Sequence, residues 1–346
     1  MGSVTISRGF FTCLLCFSTL STWALCFLIM MYPSDLSIVM KHKSFTEPSQ
    51  TRMPSLTTPK SDIKQVLEDE FDKHIDLVKI LKLRAKITRQ RLSSNMTMLI
   101  PPHQQDGGRV HFYRSKTMKT PPKGLQFIPR QRTCAVIGNS GILLGSKCGA
   151  EIDAHDYVLR SNMAPRNNYT DDVGNQTDVM TVNSMATKEA LKCITNESSS
   201  CYFKYLDTYR YLNGSILWFS KFGVSAKSHF QFVNLFRKHK LNILIAHPFK
   251  PLNGMIASLW NMLKKKYSPS SGLFLYTVSV SICDKISMYG FYPFGTAPDG
   301  SDLPYHYYND KFNSFKSGHN IPYEFRKLLS LSKQGYFRIV TDKCVI

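Results

Sequence analysis

The sequence is poor in acidic residues. Asp and Glu number 24 against 44 Lys and Arg, which gives the 346-residue chain a formal charge of +20. Between Leu77 and Ala150 there are 14 basic residues and a single acid, Asp106. This stretch is either a solvated linker or a surface for an acidic partner. A linker does not explain the one-sided sign, which suits a polyanion, a phosphate or an acidic glycan as partner.

Several common signatures of metal and nucleotide sites are missing. After residue 32 no Cys-x₂-Cys pair occurs, and the histidines are not at ligand spacing, which disfavours a zinc site. Neither G-x-G-x-x-G nor G-x-x-x-x-G-K-[ST] is found, which argues against a nucleotide-dependent oxidoreductase. A D-x-D triplet, the usual carboxylate pair for a divalent ion on a sugar nucleotide, is also missing after residue 32. We therefore expect no metal and no cofactor.

Only one apolar run is long. Residues 10–32 read FFTCLLCFSTLSTWALCFLIMMY and lie within an uncharged stretch. A helix of about 20 apolar residues crosses a bilayer, whereas the apolar part of a cleaved signal peptide usually has about 7–15. The run predicts an uncleaved signal anchor at 10–32, with a cytoplasmic tail at 1–9 and the remaining chain in the lumen.

A change of composition follows the predicted anchor. Residues 33–60 are rich in Ser, Thr and Pro, as in an extended stem. From residue 62 to 92, apolar residues recur at steps of three and four, and Asp62 with Gln65 resembles a capping box, which predicts a helix. This helix either packs on the core or serves oligomerisation, which leaves a homodimer open. We place the stem at 33–105 and a C-terminal domain at 106–346.

Two features support a lumenal domain in an oxidising compartment. Five N-x-S/T glycosylation acceptors follow the anchor, at Asn95, Asn168, Asn175, Asn196 and Asn213. Six cysteines also follow it, an even number for which disulfides are expected: Cys134, Cys148, Cys193, Cys201, Cys283 and Cys344.

Short apolar runs alternate with helical stretches after residue 132. The runs predict strands at 133–139, 156–162, 179–183, 215–220, 242–246, 286–291 and 336–341, and most are continuously apolar, as strands buried on both faces are. Helices are predicted at 254–266, 272–285 and 322–332. The alternation predicts an α/β fold, a Rossmann-like, mostly parallel sheet with helices on both faces and sites at the carboxyl ends of the strands.

Three segments after residue 132 carry residues suited to chemistry. Gly138-Asn-Ser-Gly141 follows a predicted strand, where free N–H groups could attract phosphate, although an ordinary βα turn would use the same residues. Ser270 and Ser271 precede a helix and form either a simple cap or a second anion site. His306 and His319 each lie beside acids and aromatic residues, and histidine transfers protons near neutral pH.

Together these segments resemble the sialyltransferases of animal Golgi membranes, glycosyltransferase family 29. Residues 134–183 are similar to the large sialyl motif (CAVIGNSGILL, CGAEID, DYVLRSNMAP, DDVG), and residues 268–294 to the small motif (PSSGLFLYT, ICDKI, YGFYPF). His306 falls in the third motif, and His319-x₄-Glu324 matches the very small motif. GNSG, YHYY and the terminal Cys344 resemble the α2,8 branch, which acts on acceptors that already carry sialic acid.

The resemblance implies a fold and an activity. The fold is a variant of the GT-A type, and the activity is transfer of sialic acid from CMP-sialic acid to the terminal sialic acid of a glycoprotein or glycolipid glycan. Transfer would invert the anomeric carbon without a metal, with no nucleic acid involved, at the Golgi membrane in a type II orientation. The alternatives are a polysialyltransferase that makes long chains and, in a different class, a non-catalytic membrane-anchored protein that binds acidic glycans.

The resemblance also implies residue roles. Asn139, Ser140 and Asn162 would contact the nucleotide and the donor, while Ser270, Ser271 and Gly272 would hold the donor at a helix N-terminus. His306 would stabilise the departing CMP phosphate, and His319 would act as general base. In the family pattern, disulfides would join Cys134 to Cys283 and Cys148 to Cys344. Cys193 and Cys201 are not part of that pattern, and their closeness in the sequence makes them a candidate local third bridge.

The chain departs from the α2,8 pattern at five positions. Ser161 stands in place of Cys, Ser184 in place of Pro, Ser271 in place of Thr, Tyr292 in place of Trp, and Asn309 in place of an acid. None of these changes removes an implied catalytic group.

Overall fold

The computed structural model describes residues 60–93, 97–98, 100, 128–220, 224–248, 252–262, 267–309 and 319–344. The predicted anchor at 10–32 and the acceptor Asn95 lie outside these residues. Among the described residues, no helix combines the length and the apolar character needed to cross a membrane.

A seven-stranded sheet forms the centre of the molecule. Its strands are β1 Gln131–Ile137, β2 Tyr157–Arg160, β3 Val179–Thr181, β4 Ile216–Trp218, β5 Leu244–Ala246, β6 Cys283–Tyr289 and β7 Arg338–Val340. Every neighbouring pair is parallel, in the order β5-β4-β3-β2-β1-β6-β7. The predicted α/β class and each of the seven predicted strands are therefore confirmed, and the sheet is parallel throughout these strands.

Helices cover both faces of the sheet. They are α1 Lys60–His74, α2 Leu77–Arg89, α3 Gly149–Asp153, α4 Thr170–Val173, α5 Ser184–Ile194, α6 Tyr202–Arg210, α7 Ala226–Lys238, α8 Asn253–Leu259, α9 Ser271–Ile282 and α10 Ile321–Lys333. Along β1, Cys134 and Val136 belong to one apolar core, and Ala135 and Ile137 belong to another. Because successive side chains of a strand point to opposite faces, this alternation shows why the strand is apolar at every position.

The prediction of one continuous helix over residues 62–92 is wrong. The segment forms α1 and α2, separated at Asp76, whose carboxylate accepts hydrogen bonds from the backbone N–H groups of Val78 and Lys79 at 3.0 and 3.2 Å. An Asp side chain that caps a new helix in this way competes with continuation of the preceding one.

Both N-terminal helices pack on the body of the protein. Ile80, Leu83 and Ile87 of α2 are buried, and the Arg84 guanidinium donates to the Val280 carbonyl at 2.8 Å and to the Asp284 carboxylate at 3.2 Å. The buried residues of this segment thus serve core packing, whereas Val66, Leu77, Val78 and Leu81 are exposed, and the homodimer stays a prediction. The domain boundaries stay a prediction.

Three disulfide bonds join Cys134 to Cys283, Cys148 to Cys344, and Cys193 to Cys201. The two implied pairings and the candidate third bridge are confirmed. Four predicted glycosylation acceptors lie in the described residues and are exposed, namely Asn168, Asn175, Asn196 and Asn213. Their modification stays a prediction.

The order of the strands determines where a ligand can enter. From β1 the chain moves outward strand by strand to β5 and then returns to the other side of β1 to form β6. In open parallel sheets, the loops at such a reversal leave a crevice at the carboxyl ends of the strands. The carboxyl ends of β1 and β6 are therefore the expected location of the site.

Candidate active site

A cavity of about 540 Å³ opens at this reversal point. The structure brings together on its lining all eight residues to which the resemblance gave a catalytic or donor-binding role: Asn139, Ser140, Asn162, Ser270, Ser271, Gly272, His306 and His319. They come from five separate segments of the chain. Their common location is observed, whereas their roles are the subject of the proposal below.

The turns after β1 and β6 lie against each other at the base of the cavity. The Gly138 N–H donates to the Tyr289 carbonyl at 2.7 Å, and the Ser140 N–H donates to the Gly290 carbonyl at 3.1 Å. A Cβ atom on Gly138 would lie 2.3 Å from the Gly290 carbonyl oxygen, and Gly290 has φ +70°. Both positions therefore require glycine. Sequence reasoning missed Gly290, although Tyr-Gly-Phe after a strand was a usable signal.

Asn139 and Ser140 connect this turn to its neighbours. The Ser140 hydroxyl donates to the Tyr292 carbonyl at 2.5 Å and accepts from the Ile142 N–H at 3.3 Å, which caps a single 3₁₀ turn. The Asn139 amide donates to the Ser161 carbonyl at 3.2 Å. These bonds fix the orientation of the β1 turn toward the cavity.

Asn162 follows β2 in a left-handed conformation, with φ 56°. Its backbone N–H donates to the Thr181 hydroxyl at 3.0 Å, so the backbone is held despite the unusual conformation. The side-chain amide oxygen is buried and has no hydrogen-bond partner among the described residues. Because buried polar atoms are rarely left unsatisfied, this oxygen can accept a hydrogen bond from a ligand in the cavity.

The N-terminus of α9 forms another wall. Ser270 caps the helix by accepting from the Leu273 N–H at 3.2 Å. The Ser270 N–H donates to one carboxylate oxygen of Glu324 at 2.9 Å, and its hydroxyl donates to the other. Ser271 and Gly272 occupy the first turn, where N–H groups have no intrahelical acceptor and the helix dipole favours an anion. Sequence reasoning gave no role to the buried Glu324.

His306 lies beside the turn after β1, where it forms an isolated antiparallel bridge with Ser140. The Asn309 amide donates to its Nδ1 at 3.2 Å, and its ring stacks on Tyr308 with centroids 5.0 Å apart. Burial lowers the pKa of the His306 imidazole below its ordinary value. A neutral His306 therefore carries its proton on Nε2.

His319 precedes α10 and contacts the segment before α9. Its Nδ1 lies 2.7 Å from the Ser268 carbonyl oxygen. A carbonyl can only accept, so Nδ1 donates, and neutral His319 has its lone pair on Nε2. This is the tautomer that a general base requires, with the ring orientation held by the backbone.

Comparison with known proteins gives a family and two related structures. Residues 87–336 match the model of glycosyltransferase family 29 (sialyltransferase), well over half of the chain. A crystal structure of a mammalian sialyltransferase shares 23% sequence identity with this chain and has a TM-score of 0.40. The match covers 61% of this chain and 70% of the sialyltransferase chain. A structure of a mammalian sialyltransferase in complex with Gal-beta-1-3GalNAc-ortho-nitrophenol shares 25% identity with the same coverage and a TM-score of 0.37.

Proposed function

Because the chain belongs to glycosyltransferase family 29, the sialyltransferases, we propose that it transfers sialic acid from CMP-sialic acid to the 8-hydroxyl of a terminal sialic acid on a glycoprotein or glycolipid glycan. The family makes the protein a glycosyltransferase. The α2,8 linkage, the residue roles and the cellular location belong to the proposal.

One observation carries the proposed mechanism: two histidines, the turn after β1 and the N-terminus of α9 line one cavity. Transfer from CMP-sialic acid breaks the bond between the anomeric carbon and a phosphate oxygen, and CMP leaves with the electron pair. It therefore needs donors at the departing phosphate and one base near the acceptor hydroxyl. The α9 N-terminus and His306 are suited to the first task, and His319 to the second.

In this mechanism His319 Nε2 takes the proton of the acceptor hydroxyl as its oxygen attacks the anomeric carbon. Attack from the face opposite the phosphate inverts the configuration. CMP carries one phosphate, so a helix N-terminus and a histidine suffice to stabilise its charge, and the proposal uses no metal. Glu324 supports the α9 side by holding Ser270, and it takes no part in proton transfer.

We propose short oligosialyl products, with long polymers as the alternative. An enzyme that makes long polysialic acid chains would benefit from basic surfaces that hold the growing polyanionic chain. Arg237, Lys238 and Lys240 are exposed around the end of α7, but Lys238 already pairs with Glu197. The other basic residues of that stretch, Lys250 and 264–266, lie outside the described residues.

The proposed location is the Golgi membrane, with one signal anchor and a lumenal catalytic domain. The apolar run at 10–32, the exposed glycosylation acceptors and the disulfides are the support for it. Fusing the first 60 residues to a fluorescent reporter and imaging it against Golgi and endoplasmic reticulum markers tests this part separately.

The activity is tested with the full-length protein in detergent. It is incubated with CMP-sialic acid and matched glycans that end in galactose or in sialic acid, and CMP release and product linkage are measured. We expect α2,8 products on sialylated acceptors. Transfer to galactose alone would refute the α2,8 assignment within the family, and donor or glycan binding without CMP release would favour the non-catalytic binding protein.

A further inference from the structure

A further helix begins at the cavity, and the proposed mechanism does not use it. Helix α5 follows β3, and Asn183 caps it by accepting from the Ala186 N–H at 2.8 Å. Ser184 and Met185 form its first turn and line the cavity. Their N–H groups have no acceptor within the helix, and the helix dipole gives this end a partial positive charge.

A buried hydroxyl lies on the same cavity wall. Ser161 is only 5% exposed, and its hydroxyl has no hydrogen-bond partner in the described part of the chain. Its carbonyl accepts the Asn139 amide, so its backbone is held in place. Because an unsatisfied buried hydroxyl is uncommon, Ser161 points independently to a ligand group at this position.

This wall extends away from the turn that follows β1. Ser161 lies next to that turn, because its carbonyl accepts the Asn139 amide, whereas helix α5 starts after β3, two strands away from β1 in the sheet. Neighbouring strands are about 4.8 Å apart, so the start of α5 is on the order of 10 Å from the β1 turn. A phosphate held at the β1 turn cannot also contact the start of α5, which is therefore available to a second anionic group.

The described lining contains no Lys or Arg that would hold such a group. Glu324 is its one charged side chain, and both Glu324 oxygens accept hydrogen bonds from Ser270. A second anion would therefore be bound by hydroxyl and backbone N–H donors. Such directional donors recognise a carboxylate by shape as well as by charge.

We propose that the Ser161 hydroxyl and the first turn of α5 bind the carboxylate of the acceptor's terminal sialic acid. The inference rests on the proposed α2,8 activity and identifies the residues that select its acceptor. A galactose-terminated glycan has no carboxylate, so it would leave these donors unpaired. A site whose buried polar groups are left unpaired rejects the ligand that lacks the matching group.

The test compares two acceptors and two variants of the full-length protein. The acceptors are a sialylated glycan and the methyl ester of its terminal carboxylate. The variants are Ser161→Ala and Ser184→Pro. Proline suits the first position of a helix, and Asn183 before it is extended, with φ −85° and ψ 172°, so Ser184→Pro is compatible with the backbone.

We expect each variant to lower kcat/KM for the acid roughly tenfold or more, as for loss of a hydrogen bond to a charged group. The rate with the ester and the KM for CMP-sialic acid stay unchanged. Ser279→Ala removes a buried hydroxyl that bonds within α9, and Ala226→Pro places proline at the start of α7. Both controls retain the wild-type preference for the acid.

Three results would overturn the inference. Equal losses on acid and ester would make the role structural, and a raised donor KM with unchanged acceptor preference would assign the wall to the donor. Wild-type protein that uses acid and ester equally well refutes it even if a variant fails to fold. Wild-type protein that uses only galactose acceptors would instead refute the proposed α2,8 function.

Discussion

Ser270 donates two hydrogen bonds to Glu324, from its backbone N–H at 2.9 Å and from its hydroxyl. The two residues are 54 positions apart and belong to different motifs. The Ser270 hydroxyl also accepts the Leu273 N–H, so Glu324 holds the cap of α9 from outside the helix. The position of the proposed donor-binding turn therefore depends on α10, which follows His319.

Substitution of Glu324 by glutamine tests this dependence. The amide has one acceptor in place of two, and its NH₂ group faces a donor. We expect Glu324→Gln to lower the free energy of unfolding by about 1.5–3 kcal/mol and to raise the donor KM by about tenfold. Glu189→Gln, which removes an exposed pair with Lys192, should change stability by less than about 0.5 kcal/mol. Wild-type kinetics in Glu324→Gln would refute the support role.

The role of His319 is tested by two variants. His319→Ala removes both the base and the contact with Ser268. In His319→Asn the side-chain amide can still donate to the Ser268 carbonyl, but it cannot act as a base. Both should lower the transfer rate by about 10²–10⁴ while CMP still binds, as measured by rapid quench and calorimetry. A His319→Asn variant with near-normal turnover would show that His319 only positions the loop. His74→Ala, exposed on α1, is the control.

His306 predicts a pH dependence of CMP affinity. Burial lowers the pKa of the His306 imidazole, so the free protein holds it neutral at pH 7. A bound phosphate favours the protonated form, so binding takes up a proton, and CMP affinity rises as the pH falls toward the pKa of the free protein. Calorimetry from about pH 5 to 7.5 should show this trend in wild type relative to His306→Gln. Comparison with the variant corrects for titration of CMP itself. An identical dependence of CMP affinity on pH in wild type and variant would exclude the proposed role of His306 at the phosphate.

A pair of glycine substitutions tests the contact between the β1 and β6 turns. A Cβ on Gly138 would collide with the Gly290 carbonyl, so Gly138→Ala should cost about 1–3 kcal/mol or more and greatly reduce activity. Gly254 lies within α8 and has open space at the corresponding position. Gly254→Ala should raise stability by about 0.5–1 kcal/mol. Thermal melts and transfer rates distinguish the two, and an unaffected Gly138→Ala would contradict the packing.

The disulfides should differ in their contribution to stability. Cys193 and Cys201 are 8 residues apart, whereas Cys148 and Cys344 are 196 apart. A longer closed loop restrains the unfolded chain more, so replacing the short bridge by alanines should cost about 2–3 kcal/mol and replacing the long one about 5 kcal/mol. Denaturant titrations measure both. Equal costs would show that the restraint on the unfolded chain is not the main contribution.

The sequence by itself determined the seven strands of the sheet and the residues that line the candidate site. Strands buried on both faces are apolar at every position, so each strand is recognisable from a short apolar run. The resemblance to the sialyl motifs identified eight residues that line one cavity. Only the tertiary structure decided how these parts meet. It placed Gly290 against Gly138 and joined Glu324 to Ser270. It also brought Ser161 and the start of α5 to one wall. Such contacts arise from strand order and packing between distant segments, so no local pattern predicts them.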